Sequence, residues 1–420
     1  MEAAKQIPKD EPFDSTLALL KEGYNFIPNR LKKFQTNIFQ TRILGKRVIV
    51  ISGKDAAEIF YDNERMTRYH VVPKRIQKSL FGIGGVQGLD GKAHQHRKQL
   101  FMSLMTKERI HELLLLADKQ LELAVKRWEK MDTVYFYPET EKLLFQLACQ
   151  WTGVPLWAKE LNKRAHDMGA MVDALGAVGK RYIQGTKARK RTELWMESLV
   201  EQVRSGLLLP DENTALYQFA WHKGLNGDLL HSRIAAVEVI NMLRPLVAIA
   251  RFLTFGMVAL HDYPEAKQKF EQNKGKYREM FIQEVRRFYP FTPFLGAKSR
   301  VHFHWNGFLF KKGTLVILDI YGMNRSKELW ERPDEFYPER FENWEGNLFL
   351  FIPQGGGSYE KGHRCAGEKL TVELMRKCLG FITDEISYSL PPQDLSYPMN
   401  RIPTMPESSV ILTNVSRKTR

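Results

Sequence analysis

The chain has 420 residues, 63 Lys+Arg against 48 Asp+Glu, a formal charge of +15 and 43 % hydrophobic residues. This composition supports a large buried core and excludes a disordered chain. The length allows two or three domains by the usual prior of about 150 residues each. Three widely spaced cysteines, Cys149, Cys365 and Cys378, exclude a disulfide scaffold and suit a reducing cytoplasm.

In chain order, the opening MEAAKQIPKDEPFD has no apolar run and reads as neither signal peptide nor membrane anchor. Arg47-Val-Ile-Val-Ile-Ser52 predicts a strand, followed by a helical pattern over Lys54 to Tyr61. Gly82-Ile-Gly-Gly-Val-Gln-Gly88 predicts a loop, and it lacks the Lys-Ser/Thr ending of a phosphate-binding loop. From about 107 to 290 apolar residues recur at helical spacing, interrupted by Pro155, Pro210 and Pro264. Within this region Lys187-Ala-Arg-Lys-Arg191 has no interleaved aromatics and is expected to be a solvated helix face, not a nucleic-acid groove. Leu243 to Leu260 is the best membrane candidate, yet Arg244, Pro245 and Arg251 make it a better helix for a protein interior.

Beyond residue 300, His302-Phe-His-Trp305, Phe308-Leu-Phe310 and Leu315-Val-Ile-Leu318 predict short strands around Asn306-Gly307 and Lys312-Gly313 turns. A last helix should start near Cys365 and carry Leu370, Leu374 and Cys378 on one face. Cys149 and Cys378 fall on apolar faces and read as core. The tail Ser416-Arg-Lys-Thr-Arg420 reads as a solvated end. No repeat or low-complexity linker marks a domain boundary, so one domain over 1–420 is expected.

Cys365 lies in Gly362-His-Arg-Cys-Ala-Gly-Glu368, just before a helix. The helix dipole, His363 and Arg364 are expected to lower its pKa and favour the metal-binding thiolate. Taken alone, Glu284-Val-Arg-Arg287 would be an ordinary surface ion pair. In order come Glu284 and Arg287, then Pro338-Glu-Arg-Phe341 with Arg340, then the cysteine segment. That order and spacing resemble the cytochrome P450 haem-thiolate superfamily. The resemblance implies a mainly α fold with small β-sheets enclosing haem b, with Cys365 as axial iron ligand. It also implies that Glu284, Arg287 and Arg340 brace the haem loop. His94 and Lys98 in His94-Gln-His-Arg-Lys98, with His363, match positions that hold haem propionates. Ser358 stands where the superfamily usually has Phe, so the hydrogen bonding at the sulfur should differ.

An oxygen-activating member carries an acid–alcohol pair in its long central helix; here the helix reads Val239-Ile-Asn-Met-Leu-Arg-Pro-Leu. Arg244 is always charged and has no acidic neighbour at i±3 or i±4, so it needs a distant carboxylate or an anionic ligand. Arg244-Pro245, Gln354-Gly-Gly-Gly357, Phe81, Gln87 and Phe291-Thr-Pro-Phe294 resemble the bacterial fatty-acid peroxygenases, a branch that uses hydrogen peroxide. The resemblance implies that Arg244 pairs with the fatty-acid carboxylate, which serves as general acid–base, while Pro245 opens the helix. Hydroxylation would fall at the α or β carbon, with minor decarboxylation to terminal alkenes. Glutamine at position 87 accompanies hydroxylation in that branch, and histidine accompanies alkene formation. Leu80, Phe81, Gln87, Val172, Leu175, Phe291 and Phe294 are the expected substrate-contacting residues. No redox partner, nucleic acid or membrane anchor is expected, and the cytoplasm is the expected compartment. The alternatives are a fatty-acid monooxygenase fed by redox partners and a non-catalytic haem or fatty-acid binder.

Overall fold

A computed structural model describes residues 5–418. Its scaffold is a set of helices packed around one long helix, Ser232–Asp262. Phe136–Thr152 and Gly179–Arg204 are its principal neighbours. Although the long helix is apolar enough to span a membrane by composition, 89 % of its most apolar stretch is buried inside the protein. It runs unbroken through Pro245, so the expectation that proline opens the helix is corrected. Pro245 has no N–H, and removes only the donor that would close on the Asn241 carbonyl.

Beside the helices lies a five-stranded sheet in the order Ile38–Ile43, Lys46–Ile51, Leu315–Asp319, Phe294–Ser299, Met66–Thr67. Lys46–Ile51 pairs in parallel with Leu315–Asp319, so Val48 faces Leu315 across 267 residues of chain. Its side chains alternate between two apolar clusters: Ile49 and Ile51 in one, Val48 and Val50 in the other. Burial on both faces explains an uninterrupted apolar run in place of alternation. Phe303–Trp305 and Phe308–Phe310 form the expected hairpin, with Asn306 and Gly307 at positive φ.

Two surface expectations are corrected. Within the basic run, Lys187, Lys190 and Arg191 face outward, whereas Arg189 is buried, donating to Glu193 at 2.6 Å and to the Leu80 carbonyl at 2.9 Å. At the tail, Arg417 ends the strand Ile411–Arg417 and pairs with Glu122 at 2.5 Å, while Lys418 donates to the Thr383 carbonyl. Thr419 and Arg420, like Met1–Ala4, lie outside the described residues.

Candidate active site

The cysteine segment is held from three sides. Cys365 precedes the helix Glu368–Glu385, and its N–H donates to the Gln354 carbonyl at 3.1 Å. The Gln354 side chain turns back on the same residue: Nε2 lies 3.7 Å from Cys365 Sγ and 3.2 Å from Thr371 Oγ1, while Oε1 accepts from Arg286 Nε at 3.1 Å. Arg286 also reaches Glu368 at 2.6 Å, and Glu368 pairs with Arg364 at 2.5 Å. Gly355 and Gly357 take positive φ in the approach, and a Cβ at Gly357 would also press on the Tyr61 side chain at 3.1 Å. Ser358 is exposed, so the side-chain hydrogen bond to sulfur comes from Gln354, beside the Gly367 N–H, and not from the position seven residues before the cysteine.

This arrangement corrects the expected thiol acidity. Part of the Cys365 surface remains open, but dense protein surrounds the rest, and that burial raises the thiol pKa. Arg364 is engaged by Glu368, whose negative charge adds to the rise, and the Gly367 N–H, Lys98 and Gln354 oppose it only partly. A bound cation at the sulfur would supply the missing charge.

The E-x-x-R pair is no surface bridge. Glu284 and Arg287 are fully buried and joined by two 2.7 Å hydrogen bonds. Glu284 also accepts from Arg340 Nε at 3.1 Å and from the Tyr337 N–H at 2.9 Å. Arg287 donates to the carbonyls of Asn324, Pro333 and Glu335 at 2.6, 2.9 and 3.0 Å. A carboxylate and two guanidiniums are thus satisfied without water, which buried charge requires. From the same helix, Lys276–Phe288, Arg286 carries the brace to Gln354 and Glu368.

On the helix Gly91–Ser103, capped by Asp90, His94 and Lys98 are both buried. The His94 ring stacks on His363 with centroids 3.8 Å apart, and Lys98 donates to the Arg364 carbonyl. Burial and the neighbouring cations push the His94 pKa down to about 3, and burial lowers that of His363. Arg68, next to this pair, donates to the Phe60 and Gly296 carbonyls, and burial lowers its pKa to about 10. It is a further cation in this group that the sequence reading did not single out.

Arg244 is buried, 8 % exposed, and has no ion pair or hydrogen bond among the described residues. The Phe81 ring lies 5.7 Å from Arg244 Cζ, within cation–π range. Burial first, and the nearby Arg189 second, lower its pKa to about 9, while the charge on Cys365 acts in the opposite sense. The distant carboxylate that the sequence left open is therefore absent from the described residues.

The glycine-rich loop is pressed onto the long helix. A Cβ at Gly82 would meet Arg189 and Val237, and Gly82 itself sits at φ +83. That close approach places Gln87 Oε1 3.3 Å from Asn241 Nδ2. Leu80 lies in the main helical cluster, with Phe81, Leu175 and Phe291 packed against it. The Phe291 ring stacks on Phe252 at 5.0 Å. Val172 is buried outside all three apolar clusters, and Phe294 packs on the sheet-side cluster.

The group of residues fits a haem. A half-buried thiol receives hydrogen bonds from protein donors, cations gather near it, and Arg244, close enough to interact with its charge, has no counter-charge among the described residues. A protein-family model described as Cytochrome P450 matches residues 260–411. The structure of cytochrome P450EX alpha (CYP152N1) with myristic acid superposes with a TM-score of 0.96 at 45 % identity, covering 99 % of this chain and 100 % of that one. Ligand-free cytochrome P450 OleT gives a TM-score of 0.96 at 39 % identity over 99 % of this chain and 100 % of that one. Protopanaxadiol 6-hydroxylase of Panax ginseng is 24 % identical over 364 residues, 79 % of this chain and 76 % of that protein.

The fold and the thiolate loop define a haem-thiolate oxidoreductase with haem b as cofactor. Within that class, the chain belongs to the CYP152 fatty-acid peroxygenase branch of the cytochrome P450 superfamily.

Proposed function

We propose that residues 1–420 act as one catalytic unit, a cytoplasmic peroxygenase that hydroxylates long-chain fatty acids at the α or β carbon with hydrogen peroxide. The observation that carries this reading is Arg244, a buried guanidinium with no counter-charge among the described residues. A fatty-acid carboxylate neutralises it and accepts its N–H groups in a charge-assisted pair. So anchored, the acid places its first carbons beside the reacting centre, and position along the chain follows from proximity.

Bound haem b, ligated by Cys365, supplies the oxidising centre. His94, Lys98 and His363 hold its propionates, and Glu284, Arg287 and Arg340 keep its loop in place. The substrate carboxylate takes a proton from hydrogen peroxide and returns it to the departing oxygen as the O–O bond breaks; that oxygen leaves as water, and the other ends in the new C–OH group, so peroxide is the two-electron oxidant of the C–H bond. This replaces the acid–alcohol pair that the Val239–Leu246 stretch lacks. Leu80, Phe81, Val172, Leu175, Phe291 and Phe294 line the path of the alkyl chain, and Pro245 keeps the Asn241 carbonyl without its helical donor. No redox partner or membrane anchor takes part.

The test is turnover of a fatty-acid series with hydrogen peroxide and no reductant, with products identified by mass spectrometry. Arg244→Ala should retain haem yet lose this oxidation by about 100-fold or more. Wild-type rates in that variant, or turnover only with a reductase, would instead favour the partner-dependent monooxygenase.

A further inference from the structure

Glu238 lies six residues before Arg244 on the same helix, and its carboxylate has no exposed surface. Arg97 donates to Oε1 at 2.7 Å, and Asn241 Nδ2 donates to Oε2 at 2.9 Å. The same Nδ2 donates to Gln87 Oε1 at 3.3 Å. Asn241 is 4 % exposed, and its Oδ1 is buried with no hydrogen-bond partner.

The direction of each bond follows from chemistry. Burial raises the Glu238 pKa, while the Arg97 guanidinium at 2.7 Å, the Asn241 NH2 and the Val86 N–H favour its ionised form; held as a carboxylate by Arg97 it only accepts, so Asn241 must turn its NH2 toward Glu238. The second hydrogen of that NH2 requires the Gln87 carbonyl oxygen, which turns the Gln87 NH2 away. Without a charged group at one end, both amides could rotate by half a turn at little steric cost, because their oxygen and nitrogen are nearly the same size. A buried acceptor without a donor is costly, so Asn241 Oδ1 calls for a ligand with a proton to give.

We propose that Glu238, anchored by Arg97, is a positioning residue that locks the Asn241 and Gln87 amides in one orientation. Asn241 Oδ1 as acceptor and the Gln87 NH2 as donor then hold a small hydroxylic molecule, hydrogen peroxide. Peroxide matches this pair because each of its oxygens both donates and accepts. Peroxide as the occupant rests on the peroxygenase reading, whereas the amide orientation does not.

The test compares haem-loaded wild type with Glu238→Gln, which keeps shape but can offer an NH2 to Asn241. In a crystal structure of the wild type, an ordered oxygen should lie about 3 Å from both Asn241 Oδ1 and Gln87 Nε2. It should be absent or displaced in Glu238→Gln. The KM for hydrogen peroxide should rise about tenfold, roughly the worth of one lost hydrogen bond, while the fatty-acid affinity read from the Soret shift stays within twofold. Arg97 loses its counter-charge in that variant, so the neutral pair Arg97→Gln with Glu238→Gln provides a folded alternative. Combining Glu238→Gln with Asn241→Leu should add nothing to Asn241→Leu alone. An unmoved ordered oxygen, an unchanged peroxide KM or additive losses would overturn the proposal. If the wild type shows no peroxide turnover, the peroxygenase reading fails, and the crystallographic comparison still decides the role of Glu238.

Discussion

Gln354 Nε2 stands 3.7 Å from Cys365 Sγ, and the same amide accepts from Arg286 Nε through its oxygen at 3.1 Å. One side chain therefore couples the sulfur to the helix that carries the Glu284–Arg287 pair. Because its oxygen is occupied by a guanidinium, its NH2 is directed to the sulfur.

Gln354→Leu should remove a hydrogen bond that favours the thiolate and leave more electron density on sulfur. At about 1 kcal/mol for such a bond, the one-electron reduction potential should fall by roughly 40 mV. Spectroelectrochemical titration checks this; an unchanged potential would mean that the contact does not tune the sulfur.

Glu284→Gln would leave Arg287 and Arg340 buried without a negative partner. Breaking such a pair from one side costs about 3–5 kcal/mol, so the variant should accumulate with little haem and a lowered Tm. The ratio of Soret to protein absorbance and a thermal melt measure the two effects.

Gln87→His should raise the proportion of terminal alkene over hydroxy acid, since position 87 lies beside Asn241 at the head of the proposed substrate path. Gas chromatography with mass detection of products from one fatty acid gives the ratio. Equal alkene fractions in both enzymes would remove position 87 from product choice.

Asp319 is buried, and that burial lifts its pKa to about 7 despite hydrogen bonds from the Gly322 N–H and Ser52. Its folded value lies above the unfolded one, so the folded state binds the extra proton between about pH 4 and 7. Stability should therefore decline as pH rises through that window, at about 1.4 kcal/mol per unit of displacement. Asp319→Asn should flatten this part of the Tm-against-pH curve and raise Tm at pH 8. A slope equal to wild type would place the titration elsewhere.

The haem-loop motifs were legible because their spacing is set by local chain geometry: Glu284 and Arg287 share one helix face, and Arg340 reaches back to them. The strand at Lys46–Ile51 was legible from its apolar run, whereas Phe294–Ser299 was not, since FLGAKS takes its strand form only by pairing with Leu315–Asp319. Arg189 was misread with its basic neighbours, although Glu193 one turn on was the available signal. The acidity of Cys365 was misjudged because Arg364 spends its charge on Glu368, a contact only the folded loop reveals. Arg286, Arg68, Asn241 and Glu238 act through partners up to 228 residues away, as with Arg68 and Gly296, and no local pattern marks them, whereas Gln354 was marked by its glycine-rich segment but not as a partner of the sulfur.

A buried guanidinium with no counter-charge among the described residues also sets a rule of selectivity. Alcohols, esters and alkanes of the same length bury the same hydrocarbon but leave the Arg244 charge without an anion. Sites built around one obligatory polar contact reject analogues that lack it by factors of about 10⁴ or more, far beyond what one methylene contributes. The enzyme should therefore read the head of its substrate strictly and the length of its tail loosely.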